Sequence, residues 1–309
     1  MCGKLKKTTD KNNILRECMD VFYDDKFIEL LDSNVNLLAC ANGIIDLEKK
    51  EFRQGRPDDY ITLSTNIDYV PYDEPNAELN EFIRQLFPFE SLRTYMLEHL
   101  ASTLFGVNKN QTLEIYKGDG SNGKSGIVDL MGHTLGDYKK VAPLSLICGK
   151  RQQTGGTSSE IIQLKGVRYV VMCEPSKNTI INEGKMKEAT GGDAITGRAL
   201  YADAEEFVPQ FSLAVCTNVN LKVHTTDGGT WRRIKICPFL STFKDEDKIQ
   251  LNEDGTPVHE LEFVKNKDLK ALLPSYAIPL LSLLVKIAFE TNGTINDCEL
   301  IENESKKIS

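Results

Sequence analysis

The stretch GDGSNGKS at 118–125 constrains this chain more than any other eight residues in it. It fits G-x-x-x-x-G-K-[ST], with Gly118, Gly123, Lys124 and Ser125 at the fixed positions. Glycines let a backbone close into a nest whose N–H groups point inward. QTLEIYK before the loop reads as a strand, and GIVDLMGHTLG after it reads as a helix. A helix that starts at such a loop adds its free N–H groups and the positive end of its dipole to an anion site. The spacing predicts a phosphate cradle over Gly118, Asp119, Gly120, Ser121, Asn122, Gly123, Lys124, Ser125 and Gly126. Lys124 is expected on the β- and γ-phosphates and the Ser125 hydroxyl on Mg²⁺. A glycine turn with an incidental Lys-Ser would not need the strand and helix that flank this one.

A sheet must support that loop. From residue 112 on, apolar runs recur at 113–117, 167–173, 211–217 and 233–239, with helical or loop segments between them. Buried continuous strands alternating with helices predict an α/β fold with a parallel sheet. Upstream, residues 1–33 read as one or two helices. Residues 36–55 read as short strands with turns at Asn42-Gly43 and around Glu48-Lys49-Lys50. Helices are expected over 76–87 and 90–106, the second with Leu92, Met96, Leu100 and Leu104 on one face and Gly106 as its stop. The expected organisation is a small, mostly helical domain at 1–106, a nucleotide core at 107–245 and a short helical segment at 246–309. The closing LIENESKKIS is polar and expected to be mobile.

Composition excludes several classes. The net charge of −8 argues against a protein that coats duplex nucleic acid, so any such contact is confined to a local site. Eight cysteines stand with no C-x-x-C spacing, several inside apolar runs such as VVMC and LAVC. That points away from zinc and from a disulfide framework, and towards an intracellular, reducing compartment. The four histidines are scattered. The apolar stretch at 276–289 is short for a membrane span and contains Pro279 and Lys286, and the N-terminus lacks the apolar core of a signal peptide, so no membrane role is expected.

A phosphate loop of this kind works with a carboxylate at the end of a neighbouring strand. YVVMCEPS at 169–176 supplies Glu174 after four apolar residues, with Cys173 where many such ATPases have a first acid. Glu174 then either combines the metal and water-activating roles or serves the metal alone.

The motifs in their order are the loop, a strand ending in Glu174, KEATGGDAITGRALY at 187–201, FSLAVCTN at 211–218 and DGGTWRRIKICPF at 227–239. The series resembles the superfamily 3 helicases, specifically those of poxvirus, giant-virus and phage or plasmid primase-helicases. The segment 34–70 resembles the domain that precedes the helicase in those proteins, so the resemblance covers about 34–245. It implies an AAA+ core in a hexameric ring that hydrolyses ATP with Mg²⁺ between subunits. It also implies movement 3′ to 5′ along one DNA strand, with single-stranded and forked DNA as partners, a primase domain or polymerase nearby, and the cytoplasm of a host or infected cell as the setting.

Site roles carry over from that resemblance. Asn218 corresponds to the residue that orients the attacking water. Arg232 and Arg233 correspond to paired arginines, one of them a finger reaching the neighbouring subunit's γ-phosphate. Adjacent residues on a strand face opposite sides, so only one is expected to be the finger. Lys187, Gly191, Gly192 and Asp193 correspond to an intervening motif. The following hairpin is expected to touch DNA through Arg198 and Tyr201, although its ADAEE tip is acidic, and Lys187 of the preceding motif is a further DNA-binding candidate. Two other functions compete: a packaging or remodelling ring ATPase, and an inactive nucleotide-binding scaffold, for which Cys173 is the only support. About thirty residues precede the resembling segment, too few for a primase fold.

Overall fold

The computed structural model describes residues 6–24, 26–149, 159–173, 175, 179–198, 204–223, 227–252 and 256–307. The N-terminal part holds helices α1 (Thr8–Val21) and α2 (Phe27–Leu30), strands β1 (Leu37–Cys40), β2 (Gly43–Asp46) and β3 (Glu51–Arg53), and helices α3 (Ala77–Leu86) and α4 (Glu90–Ser102). The loop-bearing part begins with β4 (Leu113–Lys117), α5 (Lys124–Leu135), β5 (Lys139–Val141), α6 (Ser159–Ile162), β6 (Tyr169–Cys173) and α7 (Glu183–Gly191). It continues with β7 (Ile195–Arg198), β8 (Ala204–Phe207), β9 (Ser212–Thr217), α8 (Gly228–Trp231) and β10 (Ile234–Pro238). The chain closes with β11 (Thr242–Lys244), β12 (Glu262–Val264), α9 (Leu269–Thr291) and α10 (Glu299–Lys306).

Four of the apolar runs become β4, β6, β9 and β10, and β5 joins them in a five-stranded parallel sheet ordered β10-β4-β9-β6-β5. Strands β6 and β9 are buried and mostly apolar because both faces are covered, whereas β4 carries Glu114, β10 carries Lys235 and the edge strand β5 is the largely exposed Lys139–Val141. Tyr169, Val171, Ala214 and Cys237 face a core shared with α4, α5 and α9. Leu113, Ile115, Val170, Met172, Leu213 and Val215 face a second core with α7 and the β7–β8 hairpin. From β4 the chain runs to the far edge at β5, returns inward through β6 and β9, and emerges on the other side of β4 as β10. Such a reversal leaves a crevice beyond the carboxyl ends of the strands on either side of it. The first core runs from Leu38 to Ile301, so it draws on residues from all three expected segments.

Three sequence expectations need correction. Helix α4 ends at Ser102 rather than at Gly106. Gly106 instead leaves room for Arg168: a Cβ there would lie 1.3 Å from the guanidinium. Arg168 is buried and donates to the carbonyls of Val35 and Leu37, tying β1 to the sheet. Burial lowers its pKa to about 10.

Secondly, the apolar stretch 276–289 is the middle of a 23-residue helix, α9, with Pro274 and Pro279 inside it. By length and composition it could cross a bilayer, yet Leu280, Leu281, Leu284 and Val285 are fully buried against this protein's own core. Thirdly, the polar C-terminus is not a loose tail through Lys306. Helix α10 packs on β10, with Ile301 buried, and the Ser305 hydroxyl accepts the Ile236 N–H at 2.9 Å. Strand β10 is a sheet edge, and α10 covers it.

Candidate functional site

The loop at 118–125 sits where the topology opens its crevice. β4 ends at Lys117, and the Gly118 N–H donates to the Thr217 carbonyl at the end of β9, 3.2 Å away. Gly120, Ser121 and Gly123 have φ of +104°, +47° and +83°. This left-handed series turns successive N–H groups inward. Gly123 is needed twice over, since a Cβ there would also lie 2.0 Å from Leu86 Cδ2. It precedes α5 with no side-chain cap, so the first-turn N–H groups of that helix remain available to a ligand.

Lys124 is 8 % exposed. Its ammonium donates to the Gly118 carbonyl at 2.6 Å, Asn122 Oδ1 at 3.1 Å and Asn218 Oδ1 at 2.9 Å. The fold thus brings together Lys124 and Asn218, 94 residues apart in sequence. Burial lowers the Lys124 pKa, opposed by Cys216 and Asp119. Beside it, Asn122 Nδ2 is buried and has no hydrogen-bond partner among the described residues. An orphaned donor next to a desolvated ammonium is chemistry that an anion would satisfy. Ser125 is exposed in the first turn of α5. Glu174 lies outside the described residues, as does Tyr201.

A cavity of about 1350 Å³ opens over the loop. Its walls come from Phe82 on α3, Phe243 on β11, Lys265 before α9, and Leu269 and Tyr276 in the first part of α9. The Tyr276 hydroxyl donates to Glu78 at 3.3 Å, closing α9 onto α3. Sequence reading missed these wall residues, because no local motif marks an apolar side chain as part of a wall. It also missed Asn122 as a partner of Lys124 rather than a spacer in the loop.

The remaining candidates lie elsewhere. Arg232 and Arg233 precede β10 instead of lying within it, at the end of the sheet opposite the loop. The expectation that they face opposite sides is therefore corrected: both guanidinium groups donate to Gln111 Oε1, at 3.3 and 3.0 Å. Lys187, on α7, is ion-paired with Asp227, the residue that caps α8 through the Gly229 and Thr230 N–H groups. The Lys187 hydrogen bond, with the Gly229 N–H and the Thr230 hydroxyl, holds the Asp227 carboxyl down to about 2. Arg198 ends β7 in an antiparallel hairpin with β8, and it is exposed. The expected hairpin is present, and its tip lies outside the described residues.

Residues 1–88 match a family model described as "D5 N terminal like". The related region therefore starts ahead of residue 34, where the motifs placed it. A protein of Acanthamoeba polyphaga mimivirus named as a putative helicase is 37% identical over 92% of this chain and 30% of its own length. A protein of Invertebrate iridescent virus 3 with the same designation is 32% identical over 80% of this chain and 27% of its own length. A protein of African swine fever virus named as a putative primase is 27% identical over 98% of this chain and 32% of its own length. The chain thus spans about a third of the length of these curated relatives. Among solved structures, the NrS-1 C terminal region superposes with a TM-score of 0.54 at 11% identity, over 78% of this chain and 54% of that one. At that identity it shares the fold.

Proposed function

The chain is a relative of the D5-like primase-helicases of large DNA viruses, and from that relationship we propose that it is an ATP-driven motor that unwinds DNA in replication. The observation that carries the reading is the Lys124–Asn122–Asn218 cluster: a buried ammonium and an orphaned amide beyond the end of β4, facing the residue that follows β9. In this reading the triphosphate takes the place of the carbonyl and amide oxygens that Lys124 now contacts. The freed Asn218 side chain, able both to donate and to accept, positions the attacking water. Ser125 is the described residue that would hold Mg²⁺, whose charge would neutralise phosphate oxygens when bound. The nucleoside would lie between Phe82, Phe243 and Tyr276 in the cavity. Arg232 and Arg233 sit too far along the sheet from their own loop to serve it, which suits a finger offered to a neighbouring copy in a closed ring. Arg198 and Tyr201 are the hairpin residues we assign to single-stranded DNA, a guanidinium for phosphate and a ring for stacking.

The test is ATP turnover with and without single-stranded DNA, on the intact chain and on Lys124→Ala. Turnover raised by DNA and lost in Lys124→Ala is expected. Binding of nucleotide with no turnover under either condition would point to the scaffold instead.

A further inference from the structure

The floor of the nucleotide cavity holds two thiols that the proposed reaction does not use. Cys173 ends β6, at the position where related ATPases carry an acid, and Cys216 lies one residue before the end of β9. The two strands are parallel and in register, with Cys173 directly opposite Cys216. Neighbouring strands run about 4.8 Å apart, within the roughly 4.4–6.8 Å that Cα atoms of a disulfide span. Alternation places both side chains on one face of the sheet, the face that carries Val171 and Ala214. Both line the cavity, Cys173 exposed and Cys216 half-buried. Of the other described cysteines, Cys40, Cys148, Cys237 and Cys298 are buried and Cys18 sits on α1. Among the described residues, this pair is the one that combines a partner within reach and an open approach.

We propose that Cys173 and Cys216 are a modification site, a dithiol that a disulfide oxidant such as oxidised glutathione converts to an internal disulfide, shutting the nucleotide cavity until it is reduced. The more accessible Cys173 attacks a sulfur of the oxidant. The S–S bond of the oxidant breaks, one glutathione leaves as its thiol with the proton from Cys173, and a mixed disulfide remains. Cys216 then attacks the Cys173 sulfur and expels the second glutathione, which takes the Cys216 proton. The protein loses two electrons and two protons, and the oxidant gains them. The new bond staples β6 to β9 two residues before Asn218 and holds that amide where it occupies the Lys124 ammonium, so the pair does not open to a phosphate. The effect on nucleotide rests on the ATP reading of the cavity, whereas the formation of the bond does not.

The experiment treats the full chain with oxidised glutathione and follows it by peptide mapping and by binding of a fluorescent ATP analogue. Expected are a Cys173–Cys216 linked peptide, a loss of about tenfold or more in analogue affinity, and recovery with dithiothreitol. Cys216→Ser should stop at the glutathione adduct on Cys173. Cys173→Ser should bind the analogue equally well in its oxidised and reduced samples. Absence of the linked peptide overturns the site, and a linked protein with unchanged affinity overturns the switch. A reduced chain that binds no analogue but still forms the linked peptide would sink the ATP reading while leaving the dithiol site supported.

Discussion

At the scale of single residues, the ion pair between Lys187 and Asp227 makes a test of its own. Asp227 has its pKa lowered to about 2, first by Lys187 and then by the Gly229 backbone and the Thr230 hydroxyl. A carboxyl depressed in the folded state stabilises above its unfolded value, near 3.9, and loses that contribution as pH falls from there towards about 2. In Lys187→Met the Asp227 pKa should rise towards the ordinary range but stay below it, because the Gly229 and Thr230 donors remain; carboxyl titration by NMR reads this directly. An unchanged value would mean that the α8 cap alone sets it. The pairing also bears on DNA contact, since a phosphate at Lys187 would have to displace Asp227. Gly106 offers a second residue-scale test. In Gly106→Ala the new Cβ would press on Arg168 and on the Val35 backbone, and overpacking of this kind costs about 1–3 kcal/mol, to be measured by denaturant unfolding.

Elements carry the stability of the site. His99 of α4 is fully buried, with its Nε2 2.7 Å from the Tyr116 hydroxyl, and Tyr169 donates to the same hydroxyl at 3.1 Å. Burial lowers the His99 pKa, with Glu114 opposing. The unfolded chain therefore binds a proton near pH 6.5 that the folded chain refuses. Stability should be full above about pH 6.5 and fall as pH drops below it, and His99→Gln should flatten that part of the curve in melts run across the range. Helix α10 is tested by Ile301→Ala, for which removal of a buried aliphatic side chain should cost about 2–5 kcal/mol. Ser305→Ala leaves the Ile236 N–H on the sheet edge without its acceptor, for about 1–3 kcal/mol. If both variants melt with the unaltered chain, α10 does not hold the edge of the sheet in solution.

For the molecule as a whole, the arginine pair and the loop occupy opposite ends of one sheet, so a shared ATP site needs two copies in head-to-tail contact. Mixing Lys124→Ala chains with chains carrying both Arg232→Ala and Arg233→Ala should restore part of the lost turnover. Mixed rings contain some interfaces that carry neither lesion. No recovery at any ratio, together with a monomer by mass measurement, would count against the assembly. The charge of −8 belongs to the same scale, because an acidic exterior favours contact with a polyanion at an enclosed site. Arg198→Ala should accordingly reduce the stimulation of ATPase by single-stranded DNA.

What the sequence determined by itself was local. The tight glycine loop at 118–125 and the helix that follows it were legible because glycine at positive φ is a demand of a short backbone path. Strands β4, β6, β9 and β10 were legible because burial on both faces makes them mostly apolar, whereas the edge strand β5, Lys139–Val141, carries two lysines and left no such run. Tertiary structure alone decided the rest. Phe82, Phe243 and Tyr276 meet around one cavity through contacts that link the beginning and the end of the chain to its middle. Gly106 looked like a helix stop, and what makes it necessary is an arginine 62 residues later. The last helix looked like a mobile tail because only Ile301 and Ser305 reveal its inner face, and that face exists only once β10 stands at the edge of the sheet. Cys173 and Cys216 read as two separate strand ends; strand order and register set them side by side. Periodicity and spacing report how one segment meets a generic interior or a ligand, whereas the pairing of segments depends on packing that no single segment encodes.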